Sequence, residues 1–191
     1  NIAKSMLNNS TPVGAQGTDG YKTDFFSIGD KLYFQDLNVE LSKKVSKSLS
    51  FTLIYQHLTV NNKVLELSDF HDMIKANIGI ADVTYKFNRK SSIKAEMQGM
   101  WTDDDKGDWA SILIEYNIPK WFFSIMDSWN YGNSIKEERF HYYTLGLGYI
   151  NKGNRIQLTY GKQRQGVTCV GGVCRTVPAS NGIMLSISST F

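Results

Sequence analysis

Residues 182–191 read GIMLSISSTF. In an extended chain successive side chains point to opposite faces. Ile183, Leu185, Ile187, Ser189 and Phe191 therefore share one face, and Met184, Ser186, Ser188 and Thr190 share the other. Such alternation fits a soluble sandwich and a membrane barrel equally well. The terminal aromatic breaks the tie: outer-membrane β-barrels usually end this way, and the assembly machinery reads that ending. Phe191, Ile187 and Leu185 are the candidate assembly signal.

The same reading extends upstream. Strands are expected at Leu32–Leu41, Leu49–Leu58, Ile74–Phe87, Ser92–Trp101, Trp109–Ile118, Trp121–Trp129, His141–Ile150, Arg155–Gln163 and Gly182–Phe191. Most are long enough to cross the hydrocarbon of a bilayer when tilted, which takes about 9–11 residues. Soluble strands are usually nearer five or six residues. Tyr143, Leu145, Leu147 and Tyr149 oppose Thr144, Gly146 and Gly148, and Ile156, Leu158 and Tyr160 oppose Arg155, Gln157 and Thr159. The apolar face is expected outward, against lipid. The polar face carries Glu40, Lys94, Glu96, Glu115, Arg155 and Gln157, with Lys75 a weaker member, and is expected to face a wet lumen.

Two segments break the pattern. In Ile74–Phe87 the apolar phase slips near Ala81–Asp82, as a β-bulge would make it. In Trp121–Trp129 apolar residues fall on both faces, and Asp127 shares a face with Phe123 and Ile125. The connections also segregate. Lys43–Lys47, Asn88–Lys90, Pro119–Lys120 and Asn151–Gly153 are short; Thr59–Met73, Thr102–Asp108, Asn130–Phe140 and Arg164–Asn181 are longer. Barrels keep tight turns in the periplasm and long loops outside. That rule puts Phe191 at the periplasmic rim and leaves residues 1–31 as an extracellular segment or the remnant of an upstream strand. Nine strands are an odd count, whereas bacterial single-chain barrels have an even one. Either this chain is the C-terminal nine to ten strands of a larger barrel, or Tyr21–Ile28, turned by Gly29 and Asp30, supplies a tenth.

Composition agrees without deciding. The 191 residues are 41% hydrophobic and 13% aromatic, and mean hydropathy is −0.30. No run approaches the roughly 18 apolar residues of a membrane helix, but a barrel needs none, since only alternate residues meet lipid. A net charge of +3 is too small to argue for nucleic acid. Cys169 and Cys174 sit in CVGGVC, where Gly171 and Gly172 permit a tight reversal. A disulfide there fits an oxidising compartment; free thiols or half a metal site are the alternatives, and no neighbouring Cys or His completes a zinc set.

The stretch Arg155–Phe191, with KLYFQDLNVELSKK and ADVTYKF upstream, resembles the C-terminal half of a family of uncharacterised outer-membrane barrel proteins of Bacteroidota, a domain of unknown function. The resemblance spans about Asp30 to Phe191 and implies an outer-membrane location and a longer parent chain. It carries no activity and no functional residues.

Other clusters have plain readings beside sharper ones. Mixed charges in a lumen either pair into a plug or line a pore. Asp103, Asp104, Asp105 and Asp108 form a solvated acidic tip or, less readily, a Ca²⁺ site. His57, His71 and His141 map to the extracellular side, where His71 with Asp69 and Asp72 is the best enzyme candidate, though no nucleophile is paired with a base. Trp101, Trp109, Trp121 and Trp129 read as interfacial girdle residues; Trp101 and Trp109 facing each other across the acidic loop would instead make a carbohydrate platform. The expectation is a non-enzymatic outer-membrane barrel without cofactor or metal, a pore or an accessory subunit of an envelope complex. Its partners are outer-membrane lipid, the assembly machinery during insertion, and an N-terminal polypeptide or other envelope proteins. A surface protease-like enzyme and a soluble β-sandwich are the competing readings.

Overall fold

The computed structural model describes residues 2–5, 34–60, 73–103, 106–170 and 173–190, with backbone alone for 2–5, 166–170 and 173–175. The protein is an antiparallel meander. Its strands are β1 (Ile2–Ser5), β2 (Phe34–Lys44), β3 (Leu49–Val60), β4 (Ile74–Lys86), β5 (Ser92–Trp101), β6 (Trp109–Ile118), β7 (Trp121–Trp129), β8 (His141–Asn151), β9 (Asn154–Gln163), β10 (Gly166–Val170), β11 (Val173–Val177) and β12 (Ser180–Ser189). One sheet runs β1 to β9 in chain order and ends with β12 beside β9; β10 and β11 form a separate hairpin. The nine long strands expected from alternation are all present. Those starting at Ser92, Trp109 and Trp121 have the expected bounds, and the others shift by one to three residues. β1, which pairs with the start of β2, was not legible, nor was the β10–β11 hairpin inside the loop before the last strand. The proposed strand Tyr21–Ile28 lies outside the described residues, as does Phe191.

The sheet is open. Among the described residues β12 pairs only with β9, and no ladder joins it to β1 or β2. The structure is thus an open antiparallel meander, with no barrel closure among the described residues. The sheet nevertheless curls, since side chains of β4 through β9 line one common cavity.

The two faces are inverted relative to a water-soluble protein. Ile183 and Ile187 are 75% and 68% exposed, and Leu53, Met97, Ile125, Leu145 and Leu158 stand on the same outer face. Glu115 and Gln157, 6% and 5% exposed, are buried on the inner face. The buried hydrophobic cluster among the described residues comprises Leu113 and Phe122, with Met126 packed against it. A soluble domain of this length would bury many large aliphatic side chains, because that burial drives folding.

Aromatic residues bound the outer aliphatic band at both ends. Tyr85, Phe87, Tyr116 and Trp121 lie near the short turns, and Trp101, Trp129, Tyr143 and Tyr160 near the longer loops; all are exposed. Phe87 meets Tyr85 edge-on at 5.2 Å, and Trp121 lies 4.8 Å from Tyr149. At the β6–β7 turn Pro119 is followed by Lys120 at φ 68°, the order that a type II reversal uses.

The bulge expected in β4 is absent. Its register with β3 and with β5 is unbroken from end to end. What changes is polarity. Ile74, Ala76, Ile78 and Ile80 sit on the inner face with Asp82, while Val83 and Tyr85 are outward. The interior toward the longer loops accepts apolar groups, and Ile78 lines the cavity there. The outer positions opposite are Asn77, Gly79 and Ala81; the Trp101 ring lies on Gly79 and Gly99, which face each other across β4 and β5. Lys75, expected in the lumen, instead shares the outer face of Val83 and Tyr85, because no bulge reverses the phase.

Candidate functional site

The inner face is built in two layers. Near the short turns lies a polar one. Lys94 Nζ is 2.9 Å from Asp82 Oδ2 and 2.9 Å from Glu96 Oε2. Gln98 Nε2 donates to the other oxygen of Glu96. Glu115, directly across from Lys94, accepts from Asn117 Nδ2 at 2.8 Å. Arg155 donates to Gln157 Oε1 at 3.0 Å, and Gln157 Nε2 donates to Thr159 at 3.3 Å. Five of the six residues expected to line a lumen therefore stand on the inner face in three hydrogen-bonded groups. Glu40 is the exception: it lies at the exposed end of the sheet and accepts from Ser42 at 2.8 Å. Pairing of opposite charges lowers the cost of holding them out of bulk water.

Phe122 is the residue that alternation alone could not place. It is 1% exposed and points inward from β7. Its ring occupies the space above Gly148 of β8, where an added Cβ would come within 1.9 Å of two ring carbons. The guanidinium of Arg155 lies over the ring, 4.4 Å from its centre. Ser124 uses Gly146 in the same way. The two glycines between Leu145, Leu147 and Tyr149 thus make room on the inner face for side chains of the neighbouring strand. The mixed pattern of Trp121–Trp129 follows: Trp121, Phe123 and Ile125 face outward, and Phe122 fills the interior.

Above this layer, toward the longer loops, is a cavity of about 530 Å³ lined by Ile78, Gln98, Trp109, Met126, Tyr142 and Arg164. Trp109 is buried there, with Tyr142 at 5.8 Å and the Arg164 guanidinium 4.2 Å over its ring. Trp101 is on the opposite, outer face. The carbohydrate platform expected between Trp101 and Trp109 does not exist, because the cross-strand partner of Trp109 is Met100, and Trp101, the next residue along the strand, points to the opposite face. Tyr142 and Tyr143 are divided in the same way.

The rim beside the cavity is tied together by two asparagines. Asn130, 1% exposed, donates from Nδ2 to the carbonyls of Lys106 at 2.8 Å and Asp108 at 3.1 Å. Its Oδ1 accepts from Asn133 Nδ2 at 3.0 Å, and Asn133 Oδ1 accepts from the Ile135 amide at 2.9 Å. The Asp108 carboxylate accepts from the Thr102 amide at 2.9 Å. That carboxylate is holding a loop, not standing free in an acidic tip; Asp104 and Asp105 lie outside the described residues. Among the described residues no three metal-ligating side chains come together.

His71, Asp69 and Asp72 lie outside the described residues. His141 Nδ1 is 2.8 Å from Asp127 Oδ2, and its ring stacks on Trp129 at 5.2 Å. This pair stands on the outer face beside Ile125, away from the cavity. It explains how Asp127 is held among apolar neighbours. His57 is also outward, with Nδ1 2.9 Å from Asn77 Oδ1. Cys169 and Cys174 are backbone partners directly opposite each other in the β10–β11 ladder.

The chain belongs to a family of unknown function, DUF6029, whose model matches residues 2–191. No curated protein and no solved structure shows significant similarity to it.

Proposed function

We propose that this protein is a non-enzymatic, multi-pass β-barrel protein of a Gram-negative outer membrane, in a Bacteroidota-type envelope, serving as a scaffold or accessory subunit. One observation carries the reading: polar and charged side chains are buried on the inner face while large aliphatic side chains cover the outer one. In water that arrangement leaves a continuous apolar surface far beyond what soluble monomers expose. In a bilayer the same surface is solvated by acyl chains, and the aromatic bands sit at the two interfaces. Among the described residues β12 pairs with β9 alone, and closure of its other edge by further strands fits this reading, because open sheet edges are not tolerated in hydrocarbon.

A scaffold is favoured over an open pore by the contents of the interior. Phe122, Leu113 and Met126 pack together beside the Lys94–Asp82–Glu96 group, so solutes entering the cavity meet a filled layer. Cys169 and Cys174 form a disulfide in this reading. Opposed residues of an antiparallel pair have Cα atoms about 4.5–5.5 Å apart, inside the roughly 4.4–6.8 Å window of a disulfide.

The test is electrophoretic and electrical. A folded barrel in phospholipid vesicles migrates faster unheated than boiled, and a plugged one gives no steady single-channel conductance in a planar bilayer. Identical migration would remove the barrel. Steady conductance would replace the scaffold with a pore.

A further inference from the structure

The short-turn end of the sheet is strongly basic. Its four turns and the residues flanking them carry Lys43, Lys44, Lys47, Lys86, Arg89, Lys90, Lys120 and Lys152, with no aspartate or glutamate among them. Every one of these side chains is exposed, and none has an ion pair among the described residues. Acidic residues gather at the other end, in the longer loops: Asp103, Asp108, Glu137 and Glu138.

Four of the cations converge. Lys47, Lys86, Arg89 and Lys90, with Ser48 and Ser91, line a groove of about 610 Å³ between the β2–β3 and β4–β5 turns. The groove is pre-shaped by hydrogen bonds from backbone amides. The Lys86 amide donates to the Ser48 carbonyl at 2.7 Å, joining the two turns. The Lys90 amide donates to Asn88 Oδ1 at 2.7 Å, and Phe87 N donates to the Ser91 carbonyl at 3.1 Å. Directly beside it the outer face is apolar, with Val45 and Phe87 exposed and Phe87 leaning edge-on toward Tyr85 and Tyr116.

We infer that this groove is a binding site for the headgroup of an anionic phospholipid in the leaflet at the short-turn end. The inference rests on the membrane reading above. The charge pattern fits a phosphodiester, which Arg and Lys hold through several charge-assisted hydrogen bonds. The adjoining Phe87, Tyr116 and Val45 surface fits the acyl chains. A site for a free phosphate would need the cations but not the aromatic flank. Placing all eight cations at one end puts them where anionic lipid attracts them, an attraction that weakens as salt rises.

The test uses the whole chain refolded into vesicles of equal parts phosphatidylcholine and phosphatidylglycerol, extracted in mild detergent, with retained lipid counted by native mass spectrometry. Phosphatidylglycerol should be retained roughly tenfold over phosphatidylcholine, since several nearby cations each add to the attraction. Lys86→Gln, Arg89→Gln and Lys90→Gln together should abolish that preference; Lys136→Gln, at the opposite end, should leave it intact. Raising salt on the unaltered protein should weaken it as well. Equal retention of both lipids by a heat-modifiable, folded protein would overturn the headgroup site alone. A preference that survives the triple substitution, or that inorganic phosphate erases without lipid competition, would also overturn it. Absence of any heat-modifiable form would overturn the membrane reading itself.

Discussion

Gly148→Ala should destabilise the protein, although the same change at most strand glycines stabilises. Gly in a strand interior usually costs about 0.5–1 kcal/mol relative to Ala. Here the new methyl would sit 1.9 Å from Cε1 and Cζ of Phe122, which must leave its slot. Full burial of a Phe side chain contributes about 1.5–3 kcal/mol, so half-exposing it forfeits about 1–1.5 kcal/mol. Separating the ring from Arg155 loses about 0.5–2 kcal/mol more. The net expectation is a loss of about 2 kcal/mol. The assay is urea unfolding in phospholipid vesicles, followed by tryptophan fluorescence. Phe122→Ala alone should cost about 3–5 kcal/mol. In that background Gly148→Ala should become neutral or stabilising, because its clash is gone. A neutral or stabilising Gly148→Ala in the wild-type background, or strict additivity of the two changes, would refute the inward packing of Phe122.

Three further outcomes are expected. Leu147→Arg, next in sequence but outward, should cost about 2–4 kcal/mol near the bilayer midplane, measured in the same titration. Asn130→Ala removes the partner of the Lys106 carbonyl and of the buried Asn133 amide, while the Asp108 carbonyl keeps the Gly132 amide, and should cost about 1–3 kcal/mol; faster proteolysis at the 102–108 and 130–140 loops would report it. Intact mass should be lower by two hydrogens than the reduced chain, with no alkylation of Cys169 or Cys174 until a reductant is added.

Much of the fold was legible because a strand writes its two faces alternately into the sequence. The nine long strands, and the shared face of Glu40, Lys94, Glu96, Glu115, Arg155 and Gln157, follow from that period. Besides β1 and the β10–β11 hairpin, three features were not legible, each for a physical reason. Polarity inverts along β4 without any change of register, so Ile74–Ile80 on the inner face look from sequence like a slipped phase. Phe122 is buried through a cross-strand partner, Gly148, that lies twenty-six positions away. The LGLG run at residues 145–148 held the signal, since alternate glycines invite neighbouring side chains to lie over them. The Asn130–Asn133 latch depends on two loops meeting, which no local pattern encodes. The rejected Trp101–Trp109 platform shows the converse: proximity across a loop says nothing once the strand register pairs Trp109 with Met100 and turns Trp101 to the other face.

The inverted faces can be measured directly by placing a nitroxide, one position at a time, along residues 183–188 in the vesicle-inserted protein with Cys169 and Cys174 replaced. Oxygen, which concentrates in the bilayer, should collide most often with labels at positions 183, 185 and 187, and a polar nickel reagent should prefer none of them. Uniform collision rates, or oxygen access that peaks at positions 184, 186 and 188, would contradict a sheet whose isoleucines and leucines meet lipid.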